Sequence, residues 1–142
     1  MNNLRKQKGF TLIELLVVIA IIGLLSTLSI VALNNARARA RDARRVADIK
    51  QIQTALELYF NDAGVYPASV TSGSGIIYSG AVYMNSVPTA PTPVDTGCST
   101  TTNAYTYVPR SSNASYTLSY CLGANTADIL AGVHTATPAG IK

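Results

Sequence analysis

The sequence predicts an α+β fold in which one long N-terminal helix lies against a small antiparallel β-sheet. Three observations carry this. An apolar block, from Phe10 to Leu33, merges into residues 34–63 with no proline or glycine in the second part. In that second part Val46, Ile49, Ile52, Leu56, Tyr59 and Phe60 recur at spacings of three and four, which marks one face of an amphipathic helix. Downstream, "AYTYVP" (104–109) and "SYTLSYCL" (115–122) alternate and are rich in Tyr and Thr, the pattern of half-buried strands.

Taken in order, residues 1–9, "MNNLRKQKG", are short, polar and basic. The next stretch has no charged residue from Leu15 to Leu33, and only Ser26, Thr27 and Ser29 interrupt it with polar groups. As a helix, 10–33 would reach roughly 36 Å, enough for a hydrocarbon core of about 30 Å. Within it Glu14 is a carboxylate in an apolar setting, which requires a reason. Residues 34–63 continue the helix, giving about 50 residues and roughly 80 Å in all. Among them Asp42, Asp48 and Glu57 stand between basic residues and are expected to form weak local ion pairs. Gly64 supplies a C-terminal cap and Pro67 forbids continuation.

Beyond the helix, "GSGIIYSG" and "AVYMNSV" read as short strands around a turn, and "PTAPTPVDTG" (88–97) as a proline-rich loop. "AGVHTATPAGIK" gives a last edge strand or an ordered tail. A sheet laid across the amphipathic half of the helix buries both apolar faces. No internal repeat is present.

The chain has 142 residues, 48% hydrophobic and 13% charged, a balance that fits neither a disordered protein nor an ordinary soluble enzyme. Its formal charge of +4 is concentrated at the ends of the apolar block: Arg5, Lys6 and Lys8 before it, and Arg37, Arg39, Arg41, Arg44 and Arg45 after it. Past Asp62 only Asp95, Arg110, Asp128 and Lys142 are charged, so the C-terminal half is a nearly neutral, hydroxyl-rich surface.

"KGFTLIELLVVIAIIGLL" (8–25) closely resembles the processing and assembly motif of type IV pilins and type II secretion pseudopilins. "DIKQIQTALELYFNDAGVYP" (48–67) resembles the end of the long helix and the following loop of major pseudopilins of the protein G type, and of related short pilins. The chain has no Trp, where many protein G sequences have one, and Val31 stands where many pilins carry a proline. The resemblance implies a pilin-like fold organised as a leader (1–9) that is removed, a transmembrane and assembly helix (10–33), an amphipathic continuation (34–63) and an exterior head (64–142). It implies cleavage by prepilin peptidase between Gly9 and Phe10, N-methylation of Phe10, and a role for Glu14 in filament assembly. Glu14 would meet the new N-terminal amine of a neighbouring subunit, each charge offsetting the other's burial.

The implied function is a structural subunit of a type IV pilus-like or type II secretion pseudopilus filament. Its partners would be itself and related pilins, prepilin peptidase, an inner-membrane assembly platform and membrane lipid. The subunit would start as a single-pass cytoplasmic membrane protein with its head outside the cytoplasm, and end in an extracellular or periplasmic filament. The alternative is a membrane-anchored binding protein, for DNA or surface adhesion, that does not polymerise. An ordinary secretory signal peptide would need a small-residue cleavage site after the apolar run, and Ala36-Arg37-Ala38 is a poor one.

The arginine cluster at 37–45 reads as a solvated helix surface in preference to a nucleic-acid site or inter-subunit pairing with acids; no aromatic residue is interleaved to stack on bases. It also opposes the rule that places basic residues on the cytoplasmic side. Cys98 and Cys121 have three readings: free thiols, a metal pair or a disulfide. The disulfide is favoured, since two sulfurs without further ligands make a poor metal site and the head is expected outside the cytoplasm. His134 reads as a surface or strand residue. Asp95 and Asp128 are thin support for a calcium loop, since calcium takes six to eight oxygens. One His and few acids offer no nucleophile–base pair, so neither an enzyme nor a cofactor is expected.

Overall fold

The computed structural model describes residues 9–141, so the basic residues of the expected leader lie outside the described part. The chain divides into two compact units, residues 1–36 and 37–142, and helix α1 (Leu12–Ala63) runs through both.

In the first unit every described side chain is exposed, including Leu12, Ile13, Leu16, Ile19, Ile22 and Leu25. A helix apolar all round, with nothing packed on it, belongs in an apolar solvent or against other helices. The α1 sequence contains a window long and apolar enough to cross a membrane. Its polar interruptions are locally satisfied: Ser26 Oγ, Thr27 Oγ1 and Ser29 Oγ donate to the carbonyls of Ile22, Leu24 and Leu25. No hydroxyl in the run therefore needs water.

The second unit holds the core. From α1 come Ile49, Ile52, Ala55 and Leu56, all buried, at the spacing of one helix face. Gly64, at φ 72°, closes α1 by donating its N–H to the Phe60 carbonyl, a left-handed position that favours glycine. Two sheets face this helix where the sequence implied one. A hairpin of β1 (Ile76–Tyr78) and β2 (Ala81–Met84) stands apart from a four-stranded antiparallel meander. The meander is β3 (Thr106–Arg110), β4 (Ser115–Leu122), β5 (Gly132–Thr137) and β6 (Gly140–Ile141), in that order. Strand β4 is central and buries Tyr116, Leu118, Tyr120 and Leu122 on one face by strict alternation. These four meet Ile49, Ile52 and Leu56 in one cluster, with Tyr66, Ile76, Val87, Tyr105 and Ala136 at its edges. The fold is therefore α+β and pilin-like, a long N-terminal helix against small antiparallel sheets.

Two details lie beyond the sequence reading. The tail forms two strands joined by a tight turn rather than one edge strand. A one-turn helix α2 (Thr100–Asn103) follows the proline-rich loop, capped by Ser99, which accepts from Thr102 N while the Thr102 hydroxyl accepts from Ser99 N. "CSTTTN" holds few apolar residues, so periodicity cannot reveal it.

Candidate functional site

Gly9 and Phe10 precede the helix and carry no regular structure; Phe10 is exposed, and among the described residues nothing beyond its chain neighbour comes within 4 Å of a side chain placed at Gly9. Thr11 is the N-cap of α1. Its hydroxyl oxygen accepts from Glu14 N at 3.3 Å, while Glu14 Oε2 accepts from Thr11 N at 2.8 Å and from Thr11 Oγ1 at 2.6 Å. This is a capping box, and "TLIE" is its sequence signature. Glu14 thus serves its own helix through Oε2, while Oε1 makes no bond among the described residues.

In the second unit a buried ionic cluster joins α1 to the segment 91–103. Arg45 is fully buried, and its guanidinium donates to Asp42 Oδ1 (2.6 Å), Asp95 Oδ2 (2.7 Å), Asn103 Oδ1 (2.8 Å) and the Pro91 carbonyl (3.1 Å). Arg41 forms a second ion pair with Asp95. Asp42, also fully buried, accepts from the backbone N–H groups of Gly123 (3.0 Å) and Ala124 (2.9 Å) just beyond β4. Gly123 is required there, because a Cβ would collide with that of Asp95. Hydrogen bonds from Arg41, joined by Arg45, hold the Asp95 carboxyl below its ordinary value against the opposing effect of burial.

This overturns the reading of the arginines as a uniformly solvated surface. Arg37, Arg39 and Arg44 are exposed, but Arg41 and Arg45 turn inward onto Asp95, 54 and 50 residues away in sequence. It also corrects the weak local ion pair expected of Asp42, whose partners include backbone 81 and 82 residues distant. The other two acids expected to pair locally bind phenols rather than basic residues. Asp48 accepts from Tyr105 OH at 2.8 Å, and Glu57 accepts from Tyr66 OH at 3.0 Å.

Cys98 and Cys121 are joined as a disulfide that ties the 91–103 segment to β4. Asp95 is committed to two guanidiniums, and among the described residues no group of three or more His, Cys, Asp and Glu side chains is placed to hold a metal. His134 stands on β5, its ring against Tyr120 and its Nε2 at 2.7 Å from the Leu130 carbonyl.

The description "Prokaryotic N-terminal methylation motif" matches residues 4–30. The chain is 38% identical to type II secretion system core protein G of Vibrio cholerae over 69 residues, 49% of this chain and 47% of that protein. It is 41% identical to core protein G of Escherichia coli K12 over 64 residues, 45% of this chain and 44% of that protein. To the type IV major pilin protein PilE of Neisseria gonorrhoeae it is 37% identical over 82 residues, 58% of this chain and 47% of that protein. The chain thus spans about half the length of the curated relatives it matches. No solved structure matches it. A methylation motif opening a long apolar helix, on a chain that resembles both kinds of relative, makes this protein similar to the type II secretion core protein G and to the type IV pilins.

Proposed function

We propose that the chain is a structural, non-enzymatic subunit of a type IV pilus-like or type II secretion pseudopilus filament. Prepilin peptidase cuts between Gly9 and Phe10, Phe10 is N-methylated, and the subunit waits in the membrane as a single-pass protein with its head outside the cytoplasm. An assembly platform then polymerises it through the N-terminal helix with copies of itself and related pilins. One observation carries the reading: the apolar first part of α1, exposed at every described residue up to 36, lies largely within a methylation motif and bears a single carboxylate. Such a helix needs a lipid solvent first and sister helices later, and both stages belong to a filament subunit. Glu14 Oε1 is the acceptor assigned to a neighbour's N-terminal amine.

Mass spectrometry of the N-terminus from native membranes tests the processing. It should show a chain that starts at methylated Phe10, and electron microscopy of the same cells should show filaments that disappear on deletion of the gene. An intact Met1 start, or cleavage near Ala38, rejects the proposal.

A further inference from the structure

Removal of the leader would leave the mature subunit with an uneven charge. Arg5, Lys6 and Lys8 would depart, so the arginines after the apolar run become the basic side chains nearest the span. The structure then sorts those arginines. Arg41 and Arg45 are used internally, while Arg37, Arg39 and Arg44 are exposed. Of the seven acids, Asp42, Asp48 and Asp95 are buried and Glu14 is assigned to a neighbour's N-terminal amine, so a copy of the chain could offer only Glu57, Asp62 and Asp128, all in the later part of the chain. Before assembly no copy is packed against the subunit, so the anion that first meets the exposed arginines comes from outside the chain.

Distance along the chain says which anion. Arg37 and Arg39 follow Leu33 by four and six residues, about 6 and 9 Å of helix. The headgroup layer extends roughly 5–8 Å beyond the hydrocarbon on each side, and an arginine side chain can bend back along its helix to reach it. Arg44 would stand about 16 Å out. Arg37 and Arg39 also project about 200° apart around the helix axis. A single flat partner such as a nucleic-acid duplex would meet one of them, whereas headgroups surround a spanning helix and meet both. We infer that Arg37 and Arg39 bind the phosphates of phospholipid headgroups on the outer face of the membrane, retaining the processed subunit there until assembly. This rests on the proposed reading of the chain as a processed membrane subunit.

The full-length processed chain, purified in detergent with equimolar phosphatidylglycerol and phosphatidylcholine, provides the test through native mass spectrometry. One basic residue near an anionic surface is worth roughly a fivefold preference. The wild type should retain phosphatidylglycerol over phosphatidylcholine by at least that factor. The Arg37→Gln/Arg39→Gln double variant should fall to parity, Arg37→Lys/Arg39→Lys should keep most of the preference, and Arg44→Gln should stay within about twofold of wild type. A wild type without preference, or a double variant that keeps it, overturns the inference. So does an Arg44→Gln chain that loses as much, since that indicates the diffuse field of the whole cluster. A duplex DNA oligonucleotide that binds the wild type and not the double variant, with lipid retention unchanged, assigns the arginines to a polyanion instead. Filaments are scored separately on cells. Lipid preference without filaments counts against the proposed function alone, and filaments without lipid preference count against this inference alone.

Discussion

At Arg45 four oxygen acceptors converge on a site that water does not reach. Burying a guanidinium is costly unless its donors are used, and here Nε is the one donor without a partner among the described residues. Losing one member of such a set is worse than never having had it, because the remaining charges stay buried. Asp95→Asn keeps the shape and removes the charge shared by Arg41 and Arg45. It should destabilise the exterior unit by about 3 kcal/mol in chemical denaturation followed by circular dichroism. Because the folded protein holds Asp95 below its ordinary pKa, its contribution is fully present above about pH 4 and is lost as the pH falls through the lower folded value. The gap between wild type and Asp95→Asn should therefore hold from neutrality down to about pH 4 and close below it. A gap that widens on acidification would show that Asp95 is not the charged partner. None of this cluster was legible in the sequence. Arg41 and Arg45 sit among three exposed arginines of the same run, and a partner 50 residues away leaves no local period to detect.

Elements were more legible where one physical signal dominated. Helix α1 announced its burial face through Ile49, Ile52 and Leu56, and β4 announced its own through alternation, so both lie where the pattern put them. The proline-rich loop 88–97 and the residues after it to Asn103 could not be read the same way, because their order comes from outside themselves. Asp95, Pro91 and Asn103 bind arginines of α1, and Cys98 is bonded to β4. The disulfide spans 23 residues, for which loop-closure entropy gives roughly 3 kcal/mol. The Cys98→Ser/Cys121→Ser double variant should lose about that much stability. Its loss should also be uneven: amide exchange should rise first in 91–103 and at Gly123 and Ala124, where the ionic cluster is anchored, and last in β4 at Leu118 and Tyr120. Uniform acceleration across the unit would mean that the segment has no separate attachment to lose.

Across the whole molecule the two units obey different solvents. Residues 37–142 have a closed core of helix, sheet and ionic cluster, whereas the described part of 1–36 is an apolar helix with no core. A change in residues 10–36 should alter assembly and leave folding of 37–142 intact. Glu14 is the sharpest case. Within its own chain the carboxylate only closes a capping box with Thr11, a modest gain at a helix end. In a filament it would also neutralise a neighbour's N-terminal amine in a dry interface, where an unmatched charge is heavily penalised. Glu14→Leu should therefore be inserted and processed at Gly9, and its head should melt at the wild-type temperature with Cys98 and Cys121 bonded. Its share of the sheared filament fraction should nevertheless fall at least tenfold below wild type at matched membrane levels. Glu14→Gln separates the two roles, since it keeps acceptors for the capping box but lacks the charge; it should fail in assembly nearly as severely. If Glu14→Gln assembles normally while Glu14→Leu does not, the capping box and not the charge pair is what the filament requires.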